Sequence, residues 1–120
     1  MNSKQYQRID ITIPSGVTHY NVQEQLRSDY KYATGLFFFC DKPLTGVTCG
    51  VKIDGNEILP IGSELDLFRW NNQISRNEAL WDFSDDRIES SQKTIDIHFD
   101  IPEGGYYAEV RLTLMVLLKN

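Results

Sequence analysis

"TIDIHFDIP", residues 94–102, alternates without a break. Ile95, Ile97, Phe99 and Ile101 fall on one side of an extended chain, and Thr94, Asp96, His98 and Asp100 fall on the other. Successive side chains of a strand point to opposite faces, so this stretch reads as a strand with one face in a core and one in water. The same period returns along the chain. "RIDITIP" sets Ile9, Ile11 and Ile13 against Arg8, Asp10 and Thr12, and "VTCGVKI" groups Val47, Cys49, Val51 and Ile53. The last run alternates Val110, Leu112, Leu114, Val116 and Leu118 against Arg111 and Thr113.

Turn chemistry lies between these runs. In "IDGNEI" (53–58), Asp54 and Gly55 suit the positive φ angles of a type I′ hairpin turn. That hairpin would set Lys52 opposite Glu57 and Val51 opposite Ile58, one pair matched by charge and the other by apolar contact. "PSG" (14–16), "DKPLTG" (41–46), "PIGS" (60–63) and "PEGG" (102–105) supply further breaks. Eight strands are predicted, at about 6–13, 17–26, 31–40, 46–53, 57–61, 64–70, 93–101 and 105–118. In the second, Val22, Leu26 and Tyr30 also fit a helical spacing, but the alternation of Tyr20, Val22 and Leu26 favours a strand. Short strands with Gly/Pro turns at this spacing predict an all-β, antiparallel sandwich, most simply a single jelly roll. An immunoglobulin-like sandwich is the alternative. Its Cys–Trp–Cys order is missing, since Cys40 and Cys49 both precede Trp70 and Trp81.

The 120 residues make one domain, 1–120, with a long loop or arm at about 71–92. Seventeen acidic against twelve basic residues give a net charge of −5, with no basic cluster denser than "RSDYK". Nucleic acid, which is held through its phosphates by a positive face, is therefore not an expected partner. "MNSKQYQRID" has no apolar segment of a secretory signal, and the longest final apolar run, "LMVLL", is too short to span a membrane. Residence in a cytoplasm favours free thiols at Cys40 and Cys49.

One stretch breaks the alternation. In "YATGLFFFC" (32–40), Leu36, Phe38 and Cys40 face one way and Phe37 and Phe39 the other, so both faces are apolar. The last strand repeats this with Met115 and Leu117. Something must cover the second face. It is either the segment 71–92, with Leu80, Trp81 and Phe83, or another subunit, because a large apolar patch tends to mark an interface. Phe37, Phe39, Met115, Leu117, Leu80, Trp81 and Phe83 are the candidate interface residues.

Catalytic signatures are missing from the sequence. It has no G-x-S-x-G, no CxxC and no phosphate-cradling loop, and its only histidines are His19 and His98. Asp96, His98 and Asp100 make a carboxylate–imidazole–carboxylate row on one strand face. A flat row does not converge on a metal without a ligand from elsewhere, so a solvated face is expected and no metal or cofactor. "DFSDD" with Glu89 is oxygen-rich but lacks the spacing and glycine of an EF-hand. Trp70, Trp81, Tyr106 and Tyr107 are candidates for an aromatic sugar platform, with Trp81 or the Tyr106–Tyr107 pair the best placed, although packing is the commoner role of such residues.

"IDITIPSGV", then "LRSDYKYATGLFFF", then a hairpin and "ILPIGSELDLF" resemble, across residues 8–70, small β-sandwich virion proteins of bacteriophages, of the capsid-accessory, vertex or head-decoration kind. The resemblance is one of layout and carries no functional residue. It implies a non-enzymatic building block that oligomerises or docks on other capsid proteins, resident in the virion after synthesis in the host cytoplasm, with a cytoplasmic protein as the alternative. Jelly rolls also serve as lectins, so a carbohydrate-binding module is the second expectation.

Overall fold

The computed structural model describes residues 4–40, 44–70, 79–86, 88–102 and 109–120, excepting the side chains of Lys4 and Trp70. It is an all-β sandwich. The strands are β1 (Lys4–Ile13), β2 (His19–Gln25), β3 (Tyr32–Phe39), β4 (Thr48–Ile53) and β5 (Asn56–Glu64), then short β6 (Arg69–Trp70), β7 (Trp81–Asp82) and β8 (Ile88–Glu89), and finally β9 (Thr94–Asp100) and β10 (Val110–Lys119). Two single turns of 3-10 helix, Leu65–Phe68 and Ser84–Asp86, interrupt the middle of the chain. No helix among the described residues is long and apolar enough to cross a membrane.

The pairing is that of a ribbon folded back on itself. β4 pairs β5 at the tip, β3 pairs β7 and β8, β2 pairs β9, and β1 pairs β10 at the open end, all antiparallel. Rolling this ribbon brings β10 beside β3 and β9 beside β4. One sheet then reads β1-β10-β3, with β6, β7 and β8 in file along the free edge of β3, and the other reads β2-β9-β4-β5. Among the described residues, only two-residue β6 runs parallel to its neighbour. This double wrap is the jelly roll expected from the strand count, not the immunoglobulin-like alternative.

The core lies between the sheets, and the alternating residues meet there. Ile9, Ile11, Leu36, Phe38, Leu114 and Val116 from one sheet face Cys49, Val51, Ile53, Ile95, Ile97 and Phe99 from the other, all buried. Phe38 and Phe99 touch edge to face across the gap, with ring centroids 6.1 Å apart. Cys40 and Cys49 are buried free thiols within this core. β2 is a strand, as its alternation predicted, and Tyr20 and Val22 pack on the core.

Three expectations need correction. The turn of the β4–β5 hairpin has Asp54 and Gly55 at φ 51° and 79°, and Lys52 does oppose Glu57. Val51, however, opposes Leu59 in place of Ile58, because a bulge inserts one residue next to the turn. "PIGS" is not a turn either. The predicted strands 57–61 and 64–70 are one nine-residue strand, β5, followed by a 3-10 turn and β6. β5 is an edge strand, where Pro60 needs no partner for its missing N–H, and a second irregularity opposite Gly50 absorbs Gly62 at φ 98°. Finally, the segment 71–92 is not all loop, since β7 and β8 add to the edge of β3. The Phe83 N–H donates to the Thr34 carbonyl (2.9 Å) and the Ser90 N–H to the Lys31 carbonyl (2.9 Å), which ties that edge together.

Candidate functional site

The outward face of the β2-β9-β4-β5 sheet gathers most of the chemistry-bearing side chains. Pairing of β2 with β9 sets His19 opposite Asp100, Asn21 opposite His98, and Gln23 opposite Asp96. Each of these pairs is hydrogen-bonded. His19 Nδ1 lies 2.6 Å from Asp100 Oδ1, His98 Nδ1 lies 2.5 Å from Asn21 Oδ1, and the Gln23 amide donates to Asp96 Oδ1 at 2.6 Å. The same Asp100 oxygen also lies 3.0 Å from His98 Nε2. The two imidazole rings stack at 6.3 Å and 20°. The hydrogen bond from His19, helped by a weaker one from His98, holds the Asp100 carboxyl below the usual carboxylate range against some desolvation.

On the far side of β9 the face opens into a shallow groove. Its volume is ≈ 630 Å³, and Asn21, Gln23, Asp96, His98, Lys52 and Ile61 line it. Gly50, paired with His98 on β4, forms its floor. Any larger residue there would place Cβ 2.6 Å from Ile61 Cγ1 and 2.9 Å from its Cα, so the absent side chain lets β5 lean across β4. Ile61 is 59% exposed on the rim.

The residues proposed for an interface lie elsewhere, mostly on the outward face of the other sheet. β10 and β3 set Met115 opposite Phe37 and Leu117 opposite Gly35. Phe37 is buried, at 1% exposure, yet lies outside the inter-sheet core. Tyr6 meets it edge-on with centroids 5.7 Å apart. Leu80 reaches over Gly35, where a Cβ would come within 3.0 Å of its Cδ1. Phe39, Met115, Leu117 and Leu80 are half-buried, and Phe83 is buried in the main core. At Phe37, the chain itself supplies cover.

Trp81 is 38% exposed, but its indole N–H donates to the Ile58 carbonyl of the opposite sheet (3.0 Å) and its ring packs edge-on against Phe68. It closes the side of the sandwich. Tyr106, Tyr107 and the Trp70 side chain lie outside the described residues. In "DFSDD", the Asp82 carboxylate accepts the Ser84 N–H (2.9 Å), a local turn bond, and Asp85, Asp86 and Glu89 are exposed.

The residue that sequence reasoning missed is His19. Nothing in "VTHYNV" marks it, because its partner Asp100 lies 81 positions away and only the β2–β9 register joins them. The row on β9 needed a ligand from elsewhere in order to converge, and β2 brings one. No family model, curated protein or solved structure matches the chain.

Proposed function

We propose that this protein is a non-enzymatic structural component of a virus particle, a capsid-associated, vertex or decoration protein that acts through subunit contacts with its own copies or other capsid proteins. One observation carries the reading. The outward face of the β1-β10-β3 sheet keeps Met115 and Leu117 half-buried beside a buried Phe37, so its apolar residues are only partly covered by the chain itself. A solvated sheet face has no use for such residues, whereas a face that meets a flat neighbour does. The jelly roll suits this role by analogy only, since the fold also serves unrelated functions.

Native mass across a wide concentration range tests the proposal. A discrete symmetric oligomer is expected, and Met115→Asp with Leu117→Asp should leave a folded but dissociated chain. A strict monomer at every concentration would remove self-assembly. The second reading, a carbohydrate-binding module, draws on the groove over Gly50, where amide, carboxylate, imidazole and ammonium groups converge beside apolar Ile61. A glycan array reports on it directly, and Gln23→Ala should abolish any hit that uses the groove.

A further inference from the structure

We propose that His19, His98 and Asp100 form a binding site for a divalent transition-metal cation of the zinc class, at the β2–β9 edge of the sandwich. Three ligand atoms of the right kind, one from each residue, lie within 4.8 Å of one another. A tetrahedral zinc with bonds of about 2.0–2.2 Å holds its ligand atoms roughly 3.3 Å apart. The contacts of 2.6 Å and 3.0 Å to Asp100 Oδ1 would open by about 0.7 Å and about 0.3 Å to reach that spacing. Side chains on an open face can supply that. The site would keep a position for water or an outside ligand, as three-residue zinc sites do.

The hydrogen-bond directions give an independent reason. Asn21 Oδ1 is only an acceptor, so the 2.5 Å contact makes His98 Nδ1 the donor. His98 Nε2 is then the nitrogen aimed at Asp100 Oδ1, 3.0 Å away. A metal ion shared between them would sit on that side, and the arrangement around it would be the usual one for a ligating histidine, whose second ring N–H is held by an oxygen that fixes ring and tautomer. β9 is an inner strand and β2 an edge strand, so the ion would also pin the edge to the sheet.

Titration of the full chain with Zn²⁺ and with Co²⁺ tests this. One equivalent should bind, with a Co²⁺ visible spectrum typical of nitrogen and oxygen ligands and no sulfur charge-transfer band, and saturating Zn²⁺ should raise Tm by several degrees. His98→Ala or His19→Ala should abolish binding. Asn21→Ala, which keeps all three ligands, should weaken it about 10–100-fold. Circular dichroism confirms that each variant is folded. If the wild-type chain takes up neither metal at millimolar concentration, a proton fills the gap and the proposal fails. Unchanged affinity in His98→Ala, or a thiolate spectrum from Cys40 or Cys49, would overturn it equally.

Discussion

Phe37→Ala separates cover supplied by the chain from cover supplied by a neighbour. Phe37 is 1% exposed within a single chain, although it faces away from the inter-sheet core. Removing a buried phenylalanine ring costs about 3–5 kcal/mol, a sum of lost burial and residual cavity. The edge-on contact with Tyr6 contributes about 0.5–1.5 kcal/mol of that. Domains of this size are stable by only about 5–15 kcal/mol, so the loss is a large share. With a urea m-value of about 1–3 kcal/mol/M, the unfolding midpoint should fall by about 1–5 M. Midpoints should be taken at protein concentrations a hundredfold apart. If the chain covers Phe37 itself, the shift is the same at both. A shift that shrinks on dilution, as a wild-type oligomer dissociates and loses its extra stability, would place the cover on another subunit. A midpoint equal to wild type at both concentrations would refute the burial argument altogether.

Gly50→Ala should destabilise by about 1–3 kcal/mol in thermal melts, because its Cβ would run into the Ile61 backbone, 2.9 Å away at Cα, and not merely into a movable side chain. Trp81→Phe keeps a ring against Phe68 but deletes the bond to the Ile58 carbonyl, so a loss of about 1 kcal/mol is expected in urea unfolding. Unchanged stability would free Trp81 for the sugar-contacting role instead. Burial pushes the Cys49 thiol up to about 12 from 9.0. The folded state therefore disfavours its thiolate, so this contribution to stability is intact below about pH 9 and is lost as pH rises from 9 towards 12. Native protein at pH 8 should leave Cys49 unreactive to a disulfide reagent, and unfolding in urea should expose it.

What the residues disclosed in advance depended on where burial is one-sided. Ile95 to Ile101, Ile9 to Ile13 and Val110 to Leu118 alternate because each has one face in the core, and those strands stand where the period put them. "PIGS" misled because proline and glycine serve edge strands and bulges as well as turns. Gly50, which makes room for that bulge, belongs to the neighbouring strand. β7 and β8 are two residues each, too short for any period to show. The His19–His98–Asp100 cluster was illegible for a different reason. Two of its three members are visible as a row on β9, but its convergence comes from a register between strands far apart in sequence, which local patterns do not encode.

The folded-back ribbon also governs how the protein can be made. β10 runs between β1 and β3, with Lys4 level with Lys119 and Phe38 level with Leu114. A nascent chain emerging from a ribosome therefore holds a first sheet whose central member has not yet been synthesised. The hairpin at Asp54–Gly55 can close early, and β3 can pair short β6, β7 and β8 along one edge, but β1 and the other edge of β3 have no partner in their sheet until the last strand threads between them. Until then, Leu36 and Phe38 on one side and Ile9 and Ile11 on the other stay open to water and to chaperones. A chain halted before Val110 should be degraded or aggregate instead of accumulating as a smaller domain.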